Sequence, residues 1–182
     1  MTTPETAASA TSPCGMTLDF SEETEVSQWR TVLDGVMGGR SSGARYAEDD
    51  HMVFRGVINT NGGGFSSIRR SMVPGQMAGA ENLRLRVKSD GRAYKLSFRT
   101  SENRYRRPVS YQIPIPQTPP GEWTTITAPL RDFNTTIFGR RVKADPFDAS
   151  DVREMGIILA DGIDGPFRIE VAELGCAAVK AT

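Results

Sequence analysis

Apolar and polar residues alternate most clearly near the middle of the chain. Residues 83–88 read Leu-Arg-Leu-Arg-Val-Lys, and residues 94–99 read Tyr-Lys-Leu-Ser-Phe-Arg. Successive side chains of a strand point to opposite faces, so each segment has one apolar and one polar face. The Asp-Gly pair at 90–91 is typical of a hairpin turn. The pattern therefore predicts two half-buried antiparallel strands joined by a tight turn.

The same pattern predicts shorter strands along the rest of the chain. Alternating or short apolar runs occupy residues 16–20, 29–33, 44–47, 52–59, 65–70, 109–115, 122–129, 155–160 and 166–174. The last run changes phase near Ala172, which predicts a β-bulge. Residues 132–148 are expected to form a long connection, and no segment has room for a helix of three turns. About ten short strands separated by turns predict an all-β sandwich or barrel.

The length and charge of the chain limit its class. With 182 residues, the chain suits one domain, predicted at 16–176 between flexible tails at 1–15 and 177–182. The 22 basic and 22 acidic residues balance, so no global charge favours nucleic acid or an anionic membrane as a partner. Neither a membrane-spanning apolar run nor a signal peptide is visible in the sequence. A soluble cytoplasmic protein is expected, or a periplasmic one if a leader has been removed.

Two glycine-rich segments, Val32–Gly43 and Asn59–Arg70, are the most distinctive feature. A phosphate-binding loop would require a helix directly after its glycines, whereas strands are predicted there, at 44–47 and at 65–70. Asp34 is expected to cap the N–H groups of its own turn, although it could also meet a ligand. Met37 either contacts a protein partner or plugs the end of the sandwich. We predict that these two glycine loops form a binding face, with Met37 packed against the second loop.

Arginine and tyrosine are concentrated in the middle of the chain. The group comprises Arg69, Arg99, Arg104, Tyr105, Arg106, Arg107 and Tyr111. This composition is typical of protein interfaces, but it also suits a solvated strand face with ordinary cross-strand pairs. A second binding hypothesis is carbohydrate recognition by aromatic side chains, for which the candidates are Trp29, Trp123, Tyr105 and Tyr111.

Groups for catalysis or metal binding are few. The single histidine, His51, is expected in an exposed turn, and no nucleophile lies in a recognised context. Asp161 and Asp164 are better explained by a turn than by a calcium site. We expect no enzyme activity, no metal and no cofactor. Cys14 and Cys176 come together if the first and last strands pair, so a disulfide is feasible unless the compartment is reducing.

Four motifs carry a resemblance to a known family. LDGVMGGRS, FRGVINTNGGGFSSIRR, EWTTITAPLRDF and MGIILADGIDGPFRIEVAEL follow one another in order between Met16 and Cys176. Together they resemble the complex I intermediate-associated protein 30 family. The resemblance implies a galactose-binding-like jelly-roll sandwich. It also implies a role in assembling respiratory complex I (NADH:ubiquinone oxidoreductase), in which the protein holds partly built membrane subcomplexes and leaves before completion.

The resulting hypothesis is a non-enzymatic protein-binding module, an assembly or chaperone-like factor whose partners are complex I subunits or intermediates. Such a module would be peripheral to the membrane through its partners. A carbohydrate-binding sandwich is the alternative. The predicted contact residues are Asp34, Gly35, Met37, Gly38, Gly39, Ser41, Gly63, Gly64, Phe65, Arg69, Arg99 and Tyr105.

Overall fold

The computed structural model describes residues 14–177, which form thirteen strands and one short helix. The elements are β1 (Thr17–Asp19), α1 (Glu23–Ser27), β2 (Trp29–Leu33), β3 (Ser42–Glu48), β4 (His51–Ile58), β5 (Ser66–Ser71), β6 (Asn82–Ser89), β7 (Tyr94–Arg104), β8 (Arg107–Pro114), β9 (Thr124–Pro129), β10 (Asn134–Ile137), β11 (Arg140–Arg141), β12 (Glu154–Leu159) and β13 (Gly165–Cys176). Single 3-10 turns lie at Asp34–Met37 and Ala149–Asp151.

The strands form two antiparallel sheets. The six-stranded sheet has the order β3-β4-β13-β6-β9. Its sixth strand, β1, pairs with the C-terminal part of β13, beyond the part that pairs with β4. The seven-stranded sheet has the order β11-β10-β8-β7-β12-β5-β2. The prediction of an all-β sandwich is confirmed.

The core lies between the two sheets and follows from the alternation in the sequence. Leu83, Leu85 and Val87 of β6 are buried from one sheet, and Leu96 and Phe98 of β7 are buried from the other. Burying apolar surface is the main favourable term in folding, so these inward rows hold the sheets together. The outward positions of the same strands carry arginine, lysine and serine. Arg99 lies among them, Arg69 lies on β5, and the other predicted contact residues lie in the loops.

The strand predictions are accurate where the alternation is strong. The bulge near Ala172 is confirmed, because the pairing of β13 with β6 shifts register between Val171 and Glu173. The long connection predicted at 132–148 is wrong in part, since it contains β10 and β11. Threonine favours the strand conformation, but as a polar residue it gives no apolar alternation from which these strands could be predicted. The acidic segment after β1 forms the short helix α1.

The two ends of the domain are joined to each other. Thr17 pairs with Gly175 across β1 and β13, and a disulfide links Cys14 to Cys176 with a Cα–Cα distance of 5.9 Å. The predicted flexible tails lie outside the described residues, apart from the short stretches that flank this bridge. In the described part of the chain, no helix has the length and apolar character needed to cross a membrane.

Candidate functional site

The carboxylate of Asp34 joins the two glycine loops. Asp34 is fully buried at the start of the 3-10 turn that follows β2. Its Oδ1 accepts a hydrogen bond from the Ser41 amide at 3.0 Å, and its Oδ2 accepts one from the Gly64 amide at 2.7 Å and a longer one from Phe65 at 3.3 Å. The expected capping role therefore extends beyond its own turn to a segment thirty residues away.

Glycines surround this carboxylate because there is no room for larger residues. A Cβ on Gly39 would lie 2.3 Å from Asp34 Cγ, and a Cβ on Gly63 would lie 2.6 Å from its Oδ2. Gly38 has a φ of 83°, the left-handed conformation that ends the 3-10 turn and that glycine adopts readily. The spacing of these glycines is thus set by Asp34.

The surroundings of Asp34 keep it ionised. Burial raises the pKa of this carboxyl, but hydrogen bonds from Ser41, Gly64 and Phe65 outweigh burial and hold the pKa below its ordinary value. Ser41 also bridges the loops through its hydroxyl, which accepts from the Asn59 amide at 3.0 Å. The base of the two loops is therefore a fixed, charged and hydrogen-bonded unit.

Above this base, the first glycine loop exposes apolar side chains. Val36 is 76% exposed and Met37 is 48% exposed. Asp34 makes the hydrogen-bonded connection to the second loop, and about half of the Met37 surface stays exposed, so the packing of Met37 against that loop stays a prediction. Ile163 is also exposed at this end of the sandwich, where the Asp164 carboxylate accepts from the Thr60 amide at 2.6 Å.

Arg69 and Arg99 lie elsewhere, on the outer face of the seven-stranded sheet. Both approach Glu154, and the distance from each Nη1 to Oε1 is 3.5 Å. Arg30, which was not predicted as a site residue, also pairs with Glu154. Their positions on β2, β5, β7 and β12 place these side chains on the outer face, but their convergence depends on strand order. We call Arg30, Arg69, Arg99 and Glu154 the arginine cluster.

Tyr105 lies at the opposite end of the molecule from the glycine loops. Tyr94, the first residue of β7, pairs with Leu159 of β12, and Leu159 pairs with Ser66 of β5. Because Ser66 follows the second glycine loop, β7 begins at the same end of the sandwich as that loop. A strand of its length spans about 35 Å before the turn at Tyr105. Beside that turn, the Arg107 guanidinium stacks over the Phe138 ring at 4.8 Å. The residues predicted to form one contact surface therefore lie in three regions: the glycine loops, the outer face of the seven-stranded sheet and the turn at Tyr105.

The aromatic candidates for sugar binding divide between core and surface. Trp29 is fully buried and donates from Nε1 to Glu25, and Tyr111 is buried and donates to the Asp145 carbonyl oxygen at 2.7 Å. These two are structural residues. Trp123 is half-buried and lies 5.2 Å from the Arg86 guanidinium on the outer side of the six-stranded sheet.

The histidine is not the exposed turn residue that was expected. His51 opens β4, and its Nε2 lies 2.8 Å from an oxygen of buried Glu170. Burial raises the pKa of Glu170, but hydrogen bonds from Arg168 and His51 outweigh it and lower the pKa. Glu48, His51 and Glu170 have ligand atoms close enough to hold a cation. Arg168 already bridges the two carboxylates at 3.2 Å, and Lys88 Nζ lies 3.4 Å from Glu170, so cationic side chains of the protein balance this group.

The acidic loop between β12 and β13 is organised by an ion pair. Arg92 donates to both oxygens of Asp161, at 2.9 and 2.7 Å. Burial raises the pKa of Asp161, and hydrogen bonds from Arg92 and the Ile163 amide more than offset it, so the pKa is lowered. A bidentate guanidinium occupies the oxygens that a calcium ion would need.

Comparison with known proteins gives one family. The family model "Complex I intermediate-associated protein 30 (CIA30)" matches residues 18–171, which include both glycine loops. No curated protein matches the chain.

The solved structures that are similar include two carbohydrate-binding modules. One is a family 11 module from Clostridium thermocellum in complex with a beta-1,3-1,4-mixed-linked tetrasaccharide, at 15% identity and a TM-score of 0.57, covering 85% of this chain and 91% of that chain. Another is the family 11 module of the cellulosomal cellulase Lic26A-Cel5E of the same organism, at 14% identity and a TM-score of 0.60, covering 84% and 88%. At these identities the likeness shows the fold, a galactose-binding-like β-sandwich.

Proposed function

Because the chain belongs to the complex I intermediate-associated protein 30 family, we propose that it is a non-enzymatic protein-binding module that assists the assembly of respiratory complex I. Its partners are complex I subunits or assembly intermediates, and it acts as an assembly or chaperone-like factor. It reaches the membrane through those partners.

The observation that supports protein binding most directly is the apolar tip of the first glycine loop. Val36 and Met37 are exposed, yet the base of their loop is fixed by a buried carboxylate with three amide donors. A fixed loop loses little conformational entropy on binding. Methionine adapts its shape to different apolar partners, which suits a factor that holds incomplete subunits.

A pull-down from the native membrane fraction tests this function. The tagged protein is expected to recover complex I subunits, and a Val36→Ser, Met37→Ser double variant is expected to recover much less. Val73→Ser is the matched control, because Val73 is also exposed but follows β5 at the other end of the sandwich. Recovery of no complex I subunits by the wild-type protein would contradict the proposal.

Carbohydrate binding is the second candidate function, and Trp123 favours it. The half-buried indole lies beside Arg86, Lys88 and the His51 ring on a polar sheet face. An aromatic face flanked by hydrogen-bonding side chains is a usual platform for a sugar ring. A glycan array that includes the mixed-linked tetrasaccharide tests this candidate. Hits that disappear in Trp123→Ala would support it, and an array without hits would exclude it.

A further inference from the structure

Three arginines and one carboxylate converge on the outer face of the seven-stranded sheet. The arginine cluster is built by register: Arg30 pairs directly with Arg69 across β2 and β5, and Glu154 pairs directly with Arg99 across β12 and β7. Like charges directly opposite each other on neighbouring strands are destabilising. One carboxylate cannot neutralise three guanidinium groups, so the cluster has two excess positive charges.

The contacts inside the cluster leave arginine donors available. Arg30 makes the close contact with Glu154, whereas Arg69 and Arg99 each approach it only at 3.5 Å. Each guanidinium has five N–H donors. In residues 14–177, the Arg99 guanidinium takes part in no hydrogen bond, and its side chain is 29% exposed. Donors of Arg99 and of the half-exposed Arg30 are thus open to an incoming acceptor.

The backbone beneath the cluster allows this convergence. A Cβ on Gly156 would lie 2.6 Å from the Ile68 carbonyl oxygen and 3.2 Å from Arg69 Cγ. The absent side chain lets the Arg69 stem lie close to β12. Burial lowers the pKa of the Arg69 guanidinium, and repulsion from Arg99 and Arg30 lowers it further, against attraction from Glu154. An added anion would offset the repulsion between the arginines.

Polar neutral side chains continue the surface next to the arginines. Ser110 pairs directly with Arg99, its hydroxyl lies 2.8 Å from that of Ser97, and Gln112 Nε2 donates to it at 3.3 Å. On β2, β5, β12, β7 and β8, the positions that share this face carry no aromatic residue. Stacking of sugars or nucleobases, which relies on aromatic side chains, therefore has no platform here.

We propose that the arginine cluster is an anion-binding site for the carboxylates of an acidic protein segment, which docks across the outer face of the seven-stranded sheet. Guanidinium groups bind carboxylates through paired, charge-assisted hydrogen bonds, and the excess positive charge complements an acidic chain. The inference rests on the proposed protein-binding function, and it identifies the chemistry of one partner segment. It concerns a surface separate from the Val36 and Met37 tip.

Titration with a short polyglutamate peptide at low ionic strength tests this site. We expect saturable binding that weakens as salt is added. Arg99→Gln should weaken binding by about fivefold or more. The matched control is Arg84→Gln, which removes an exposed arginine from the outer face of the six-stranded sheet. Circular dichroism establishes that each variant is folded.

Glu154→Gln separates binding from a merely structural role. Removing the central carboxylate raises the excess charge, so peptide binding should tighten by about threefold even if the variant is less stable. Inorganic phosphate is titrated in parallel. Saturable binding of phosphate without binding of the peptide would overturn the acidic-segment proposal.

Equal affinity of the wild type, Arg99→Gln and Arg84→Gln would overturn it as well. If the peptide does not bind but the pull-down recovers complex I subunits, only the anion-site proposal is contradicted. If the peptide binds and the pull-down recovers no complex I subunits, the anion-site proposal is supported and the assembly role is contradicted.

Discussion

At the scale of single residues, Asp34 explains why the glycine loops have their sequence. Its identity as a capping residue follows from the sequence, because aspartate commonly accepts from nearby backbone amides. Its partners Gly64 and Phe65 do not follow, because a contact across thirty residues depends on the pairing of β2 with β5. The capping role of Asp34 could therefore be predicted from the sequence, whereas its contact with the second glycine loop could not.

Replacing Asp34 by Ala should destabilise the protein strongly. The variant leaves the amides of Ser41, Gly64 and Phe65 without their acceptor in a buried site, so we expect a loss of about 3 kcal/mol or more in the free energy of unfolding. Urea unfolding measures the loss. Asp50→Ala, in the exposed turn between β3 and β4, is the control and should change it by less than about 0.5 kcal/mol. Equal stability of the two variants would contradict the role of Asp34.

The contribution of Asp34 should also depend on pH. Its folded-state pKa lies below its ordinary value of 3.8, so the stabilisation is complete above that value and is lost as pH falls through the folded-state pKa. Asp34→Asn cannot ionise. The difference in unfolding free energy between wild type and Asp34→Asn should therefore be largest near neutral pH and shrink in acid below about pH 4. A difference that is constant from neutral to acid pH would show that ionisation of Asp34 contributes nothing.

At the scale of elements, the strongly alternating strands were predicted and the short threonine-rich ones were missed. Thr135 and Thr136 of β10 point to opposite faces, and Thr136 is buried. A polar residue on both faces gives no alternation, so the sequence does not distinguish this strand from a loop. The turn after it contains Phe138 at a φ of 48°, an uncommon conformation for an aromatic residue. A turn with phenylalanine at this position is therefore not expected from the sequence.

Two glycines of the first loop should differ in their tolerance of Ala. Gly39→Ala should cost about 2 kcal/mol or more, because the new methyl group overlaps the buried Asp34 carboxylate. Gly35→Ala should be close to neutral, since a Cβ there meets nothing within 4 Å and its φ is not in the left-handed range. Thermal unfolding of the two variants provides the measurement. A larger loss for Gly35→Ala than for Gly39→Ala would contradict the packing of this loop.

At the scale of the whole molecule, the sequence predicted the sandwich but not the arrangement of its surface. Met37, Arg99 and Tyr105 were grouped because all have interface-like chemistry. The strand order separates them, with Met37 at one end, Tyr105 at the other and Arg99 on a sheet face. Distances of this kind are set by which strands pair, and periodicity within a strand carries no information on that.

The bridge between the two ends should stabilise the whole domain. A disulfide between Cys14 and Cys176 closes nearly the entire chain, which restricts the unfolded state strongly. In oxidised protein, a Cys14→Ser, Cys176→Ser variant should lose about 3–5 kcal/mol of unfolding free energy. Adding a reductant should lower the stability of the wild type towards that of the variant and leave the variant unchanged. Detection of two free thiols in the oxidised protein by mass spectrometry would contradict the bridge.

The amount of assembled complex I in the membranes of a deletion strain tests the central claim most directly. Native gel electrophoresis should show less mature complex I and an accumulation of partly built subcomplexes. Wild-type protein should restore the mature complex, whereas the Val36→Ser, Met37→Ser variant, expressed at the same level, should not. Normal complex I in the deletion strain would contradict the account.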